Sequence, residues 1–294
     1  MIEVIGLLAL FMLCKAVNTV TMKRAQAGKP CFLQHMLFTC LFCVCQGVLI
    51  FTLPPYAPLS FTWERAGLPV LFGVFYVIYM IFTVMAMRIG PMSLTTIIGS
   101  FNPLFPVLAG LLFWGDSLAW WQLGGLALFC AALLLFNSGS YTEAEAQKPI
   151  TLRWVLFALL GLVFSGFAVI CTRRYCDLYA GYIKEYLFLF HVTGAALTLP
   201  FVLYGWLRRR SELTLNRRMV GYSLGGAAAA DTSNIIFMLY ASAFNAAFYF
   251  PLMSVLGVAS VMLASRVFLR ERVSRRAIIG IFVSAVALAL LAIS

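Results

Sequence analysis

Apolar stretches long enough to cross a lipid bilayer follow one another along almost the whole of this chain. A helix needs about 20 apolar residues to span the hydrocarbon core of a membrane. Segments of about ten residues with alternating polarity, which a membrane β-barrel requires, do not occur in the sequence. The sequence therefore predicts an all-α membrane protein with ten transmembrane helices, which occupy residues 2–22, 31–53, 66–87, 91–113, 118–138, 152–172, 184–206, 218–243, 246–269 and 275–293.

Composition supports the same fold class. Of the 294 residues, 63% are hydrophobic and 11% are charged, whereas a soluble domain is about half apolar and about a quarter charged. A soluble enzyme is excluded, because a globular domain of this length cannot bury so much apolar surface. We expect a multi-pass protein of the plasma (inner) membrane, in contact with the lipid bilayer.

A polar interval near the middle, SGSYTEAEAQKP, divides the ten segments into two sets of five. The sequence thus predicts a five-helix repeat over residues 1–139, a polar linker over 140–151 and a second five-helix repeat over 152–294. Because each set has an odd number of spans, homologous halves must lie upside down relative to each other in the membrane. The predicted architecture is two inverted five-helix repeats.

Weak internal similarity agrees with this organisation. An offset of 155 residues aligns Gly125 with Gly280, and it aligns Asp116 with Glu271 in two tight loops. The two histidines of the chain, His35 and His191, are 156 residues apart.

Lysine and arginine predict an orientation. The net charge of +11 would suggest nucleic acid in a soluble protein, but here the basic residues lie in short loops, so we expect no nucleic-acid partner. They are most frequent in residues 208–218 and 270–276. The positive-inside rule places those loops in the cytoplasm and both termini outside.

Several short motifs stand out along the chain: AMRIGP at residues 86–91, Asn102-Pro103, Gly115-Asp116 with Gly125, Arg270-Glu271 with Gly280, Ala16 with Asn18 and Lys23, and Gly166 with Arg173. Through these motifs the sequence resembles the EamA-like ten-helix branch of the drug/metabolite transporter superfamily. Two positions depart from the family pattern, since Lys15-Ala16 replaces a common Trp-Gly pair and His35 replaces a common arginine. The resemblance implies translocation of a substrate by alternating access, with no ATP site on the chain. It also implies that both termini are cytoplasmic, opposite to the charge distribution.

Asp231 lies deep in the eighth predicted span, after a run of glycine and alanine. An ionisable group at that depth costs several kcal/mol unless it is paired or hydrated. One interpretation is a cavity-lining acid that binds a cationic group or a proton, with Asn234 on the same helical face. The alternative is a structural salt bridge or hydrogen-bonded contact between helices.

Lys15 is the corresponding cation in the first span, with Asn18 one turn away. Its ammonium has three possible roles: it can extend to the membrane interface, pair with Asp231 or contact the substrate directly. Asn18 adds a neutral donor and acceptor that suit a carboxylate or an amine.

His35 and His191 are candidates for a proton relay, with Asp231, because the ordinary pKa of histidine is near neutrality. The alternative is a buried histidine bonded to a backbone carbonyl. No third ligand accompanies them, and the cysteine spacing fits no zinc pattern, so we expect neither a metal nor a cofactor.

Proline removes a helical donor and frees a carbonyl, which must find a partner in protein or in a hydrated cavity. Pro103, Pro106 and Pro251 are therefore candidate hinges, and packing kinks are the alternative. The candidate cavity wall consists of Asn102, Tyr76, Tyr79, Phe250 and Ser254. For any single aromatic side chain among them, packing in the core is the alternative role.

The leading functional interpretation is a monomeric secondary transporter for a small amino acid-like or amine metabolite, with proton coupling as an option. A carrier of choline, another quaternary amine or a cationic drug is the first alternative, since aromatic rings bind such cations. A membrane-embedded enzyme is disfavoured because the sequence has few acids and no HExxH or GxSxG motif. A channel or non-transporting scaffold is the remaining class.

Overall fold

The computed structural model describes residues 2–25, 31–52, 59–137, 150–268 and 275–293. Within these ranges the chain is almost entirely helical and has no β-strand. The described α-helices are α1 (Ile2–Ala25), α2 (Phe32–Leu49), α3 (Trp63–Ile89), α4 (Met92–Gly99), α5 (Leu104–Phe113), α6 (Trp120–Asn137), α7 (Leu152–Tyr179), α8 (Ile183–Arg208), α9 (Arg217–Ala241), α10 (Ala246–Phe268) and α11 (Arg275–Ala292).

Seven segments of the described chain are long and apolar enough to cross a membrane, and one of them, Leu152–Arg208, contains both α7 and α8. The chain is therefore a multi-pass helical membrane protein. Helix α9, with its glycine and alanine run, is not among the seven, and the apolar part of α6 is shorter, at Trp120–Phe136. Each apolar segment predicted from the sequence overlaps a helix. Helix α7, which covers the sixth predicted span, continues to Tyr179, beyond the predicted end at 172.

The fourth predicted span is broken into α4 and α5. Pro103 caps α5, and Pro106 lies in its first turn, where an α-helix has no partner for the missing N–H. Pro251 lies inside α10 and removes one helical hydrogen bond there. The break is thus at Ser100–Pro103, and Pro106 causes no kink of its own.

Helices of the two halves pack against each other in matching pairs. The contact between α1 and α9 corresponds to the one between α7 and α3, and the contact of α2 with α9 corresponds to that of α8 with α3. Two further large contacts join equivalent helices, α2 with α8 and α6 with α11. The pattern of contacts stays the same when each helix is replaced by its counterpart in the other half, as a two-fold axis between the halves requires.

The contact between α6 and α11 is antiparallel. A β-carbon built on Gly125 would lie 3.0 Å from Leu291 Cγ and 3.1 Å from the Ala287 carbonyl oxygen. On Gly280 it would lie 3.0 Å from Phe136 Cδ1 and 3.2 Å from the carbonyl oxygen of Ala132. Each glycine therefore admits close approach of the partner helix, at positions that the offset of 155 makes equivalent.

The loop between α8 and α9 is fixed to the first turn of α2. The Gln34 side chain donates to the Thr214 carbonyl at 2.9 Å and accepts from its N–H at 2.8 Å. The Cys31 thiol donates to Glu212 at 3.1 Å, and this bond, together with the Arg209 guanidinium, lowers the pKa of the Glu212 carboxyl. The arginines of residues 208–218 are exposed at this end of the molecule.

Some of the sequence predictions lie outside the described residues. These are the polar linker except for residues 150 and 151, and the Arg270-Glu271 pair. The side chain of Lys23 also lies outside them.

Candidate functional site

A cavity of about 320 Å³ lies among six helices: α1, α2, α3, α7, α8 and α9. It collects side chains from both halves of the chain. Its lining residues are Lys15, Asn18, Met22, Phe42, Gln46, Phe72, Tyr76, Val169, Thr172, Tyr186, Leu187, Phe190, Ala230, Asn234, Phe237 and Met238.

Lys15 is the only lysine, arginine, histidine, aspartate or glutamate among these lining residues. Its Nζ lies 5.4 Å from the centre of the Phe11 ring. Within the described part of the chain, no acidic oxygen lies within ion-pair distance of this ammonium. The amine of Lys15 therefore has no acidic partner in the described part of the cavity.

Amide groups accompany that amine. Asn18, one turn after Lys15 on α1, has a buried Oδ1 with no hydrogen-bond partner in the described structure. Asn234 faces the same cavity from α9. A ligand in the cavity therefore meets an ammonium and a free amide acceptor side by side.

Aromatic rings form another part of the cavity wall. The Phe72 ring centre lies 4.5 Å from that of Phe190 and 5.6 Å from that of Tyr186. Tyr76 lies 5.3 Å from Phe190, and the Tyr186 hydroxyl is 2.8 Å from the Thr172 hydroxyl. All three ring pairs are edge-on, so the wall is preformed and suits a flat apolar group.

Asp231 lies behind the wall. Its carboxylate is fully buried and does not line the cavity. Oδ1 accepts from Gln46 Nε2 at 2.7 Å and lies 2.9 Å from Nε2 of His191, which is also fully buried. Gln46 lines the cavity, so this buried trio of side chains reaches the cavity through one amide.

Arg65 and Glu185 form a buried ion pair, and Glu185 directly precedes the cavity residue Tyr186 in the sequence. Arg65 Nε is 3.5 Å from Glu185 Oε2, and Glu185 Oε1 accepts from both the backbone N–H and the hydroxyl of Ser60. The Arg65 guanidinium also lies 3.7 Å from the centre of the Tyr182 ring. This network joins the start of α3 to the start of α8.

Four of the predicted site residues meet in the cavity: Lys15, Asn18, Tyr76 and Asn234. Tyr79 does not line it, but its ring lies 6.1 Å from that of Tyr76. The ion pair between Lys15 and Asp231, one of the alternatives drawn from the sequence, is not formed.

Other predicted residues lie elsewhere. Phe250 packs 5.6 Å from Phe237 in the apolar core behind the wall. Asn102 lies in the break between α4 and α5, and Ser254 lies on α10; neither lines this cavity. His35 lies in the first turn of α2, and its Nε2 has no hydrogen-bond partner among the described residues.

Gln46 was not singled out from the sequence, although a polar residue in an apolar span was the signal that identified Lys15 and Asp231. The aromatic wall gave no comparable signal, because the chain has 26 phenylalanines and 12 tyrosines. No group of three histidine, cysteine or acidic side chains that could hold a metal occurs in the described ranges.

The long apolar helices make the chain a multi-pass membrane protein, and an internal cavity with polar and aromatic side chains lies among six of its helices. Residues 3–138 match the model of the EamA-like transporter family, which is part of the drug/metabolite transporter superfamily. The match confirms the resemblance over this part of the chain. Members of this family are membrane transporters of small molecules rather than enzymes.

A solved structure described only as "Crystal structure of protein" superposes with a TM-score of 0.71 at 17% sequence identity. The match covers 98% of this chain and 98% of the other. At this identity the likeness shows a shared fold alone. No curated protein matches the sequence.

Proposed function

We propose that this protein is a secondary transporter that moves a small, carboxylate-bearing, amino acid-like metabolite across the plasma (inner) membrane by alternating access. The observation that carries the proposal is the unpaired Lys15 in a cavity with an aromatic wall.

The charge of the cavity favours a carboxylate. An ammonium within the membrane is costly when it has no counter-charge, and a carboxylate of the substrate supplies both the charge and a charge-assisted hydrogen bond. The free Oδ1 of Asn18 accepts from the substrate ammonium, and the rings around Phe72 receive an apolar side chain.

The same features disfavour a quaternary amine or a cationic drug. Aromatic rings attract such cations, but Lys15 repels them, and the carboxylate of Asp231 is buried away from the cavity surface. A membrane-embedded enzyme and a non-transporting scaffold remain alternatives of another class.

Alternating access follows from two inverted five-helix repeats, over residues 1–139 and 152–294, with ten spans and a linker at 140–151. The antiparallel contact of α6 with α11 and the matching pairs of helices support this arrangement. The proposal includes a monomer with no cofactor and no nucleic-acid partner, and cytoplasmic basic loops with both termini outside. Pro103 and Pro251 are its candidate hinges, and Asp231 and His191 are its candidates for proton coupling.

A series of matched ligands tests the substrate class on detergent-purified protein by isothermal titration calorimetry. L-phenylalanine and 3-phenylpropionate carry the carboxylate, whereas phenethylamine and choline do not. We expect L-phenylalanine to bind most tightly, 3-phenylpropionate to bind more weakly because it leaves Asn18 unpaired, and the two cations not to bind. Binding of phenethylamine or choline as tight as that of L-phenylalanine would contradict the assignment.

A further inference from the structure

We infer that Asp231 and His191 form a one-proton site that sets the affinity of the cavity for the substrate carboxylate, and that Gln46 links this site to the cavity. The inference rests on the proposed function and adds its regulation by pH. It assigns Gln46 as a positioning residue.

The trio joins the two halves of the chain. Gln46 lies on α2 in the first half, whereas His191 on α8 and Asp231 on α9 belong to the second half. Both side chains of the His–Asp pair are fully buried, and Gln46 is 3% exposed. A change of charge at the pair therefore acts on the contact between the halves and, through one amide, on the cavity.

The pair has room for one more proton. With a hydrogen bond joining His191 Nε2 to Asp231 Oδ1, the remaining atoms His191 Nδ1 and Asp231 Oδ2 have no partner in the described structure. Either atom can take a proton without the loss of an existing hydrogen bond. Without that proton the pair carries a net negative charge in a buried site, which is costly, and with it the pair is neutral.

Few other ionisable groups surround the pair. Cys43 on α2 lies close enough to feel the charge of Asp231, and Tyr76 on α3 lies close to Cys43. Lys15 on α1 shares the cavity with Gln46 but makes no ion pair with Asp231. In the described structure, the cation at the cavity is thus separate from the buried acid.

The direction of the coupling follows from charge. A substrate carboxylate bound at Lys15, in the cavity that Gln46 also lines, is repelled by the deprotonated pair and is not repelled by the neutral one. Binding of the carboxylate therefore raises the affinity for the proton, and binding of the proton raises the affinity for the carboxylate by the same factor. Affinity falls as the pH rises through the titration of the pair, by at most about tenfold per pH unit for one proton.

The test is calorimetric binding of L-phenylalanine from pH 5.5 to 7.5 to the wild type and to Asp231→Asn, with His35→Gln as the control. The ligand carboxylate does not titrate in this range. For the wild type we expect the affinity to fall by about fivefold or more between the two limits. His35→Gln should keep this dependence, because His35 is not part of the trio. Asp231→Asn should bind with the low-pH affinity at every pH, since its neutral amide mimics the protonated acid.

If the wild type binds L-phenylalanine with the same affinity at every pH, the inference is overturned but the proposed function stays intact. The same conclusion follows if Asp231→Asn keeps the full pH dependence of the wild-type affinity. Absence of binding at every pH overturns both. Proton release or uptake by the wild type, recorded on addition of L-phenylalanine in weak buffer, needs no variant. We expect uptake of up to one proton per ligand, and no uptake at any pH contradicts the inference.

Discussion

Replacement of Lys15 by methionine is expected to lower the affinity for L-phenylalanine by about 10- to 150-fold. Lys15 supplies the one positive charge of the cavity lining, and a hydrogen bond to a charged group contributes about 1.5–3 kcal/mol, which gives this range. Methionine keeps much of the length and apolar contact of the side chain. Calorimetric titration of the variant with L-phenylalanine and with phenethylamine measures the effect.

Two variants control this prediction. Lys15→Arg keeps the charge and should retain most of the binding, whereas Arg24→Met removes an exposed charge at the end of the same helix and should have no effect. Wild-type affinity in Lys15→Met would show that the ammonium does not contact the ligand. A gain of phenethylamine binding in Lys15→Met would support the account, because the repulsion of cations is then gone.

Replacement of Glu185 by leucine is expected to destabilise the protein by about 3–5 kcal/mol, because it leaves the buried guanidinium of Arg65 without its counter-charge. Glu185 is 3% exposed and Arg65 is 9% exposed. The loss also removes the acceptor for the backbone N–H and the hydroxyl of Ser60. Thermal unfolding in detergent measures the drop in Tm.

The double variant Arg65→Met with Glu185→Leu should recover part of this stability, since no unpaired charge then remains. Asp177→Leu serves as the control. Without Asp177, Arg173 keeps its hydrogen bonds to the carbonyls of Ala241 and Phe244. The Tm of the Asp177→Leu variant should therefore change little. An equal Tm for Glu185→Leu and Asp177→Leu would contradict the structural role given to the buried pair.

The positions of the long helices were predictable because each of them contains an apolar run many residues long. Lys15, Asn18 and Asn234 were predictable as cavity residues because polar groups within apolar spans need a hydrated or paired environment. The break between α4 and α5 was marked by Pro103, although its extent over several residues was not.

The position of Asp231 shows where sequence reasoning stops. Its depth in the membrane follows from counting residues, but its facing partners do not. Gln46 is 185 residues away and His191 is 40 residues away along the chain, on two other helices. Only the tertiary arrangement of α2, α8 and α9 decides that the carboxylate lies behind the cavity wall rather than on it.

The choice of aromatic wall residues had a similar limit. Phe72, Phe190 and Phe237 look like core residues in the sequence, and many phenylalanines of the chain are core residues. Tyr76 was singled out and lines the cavity, whereas Phe250, singled out with it, packs behind Phe237. Helical periodicity gives the face of a residue relative to its own helix, and the cavity is defined by six helices together.

Counterflow into proteoliposomes shows whether the protein carries L-phenylalanine across a membrane. Vesicles that contain the purified protein and unlabelled L-phenylalanine are diluted into labelled L-phenylalanine, and the label inside is measured over time. We expect transient accumulation of the label in vesicles with the wild type and little in vesicles with Lys15→Met. Accumulation no greater than in protein-free vesicles, from wild-type protein that binds L-phenylalanine in detergent, would contradict transport and leave a binding protein instead.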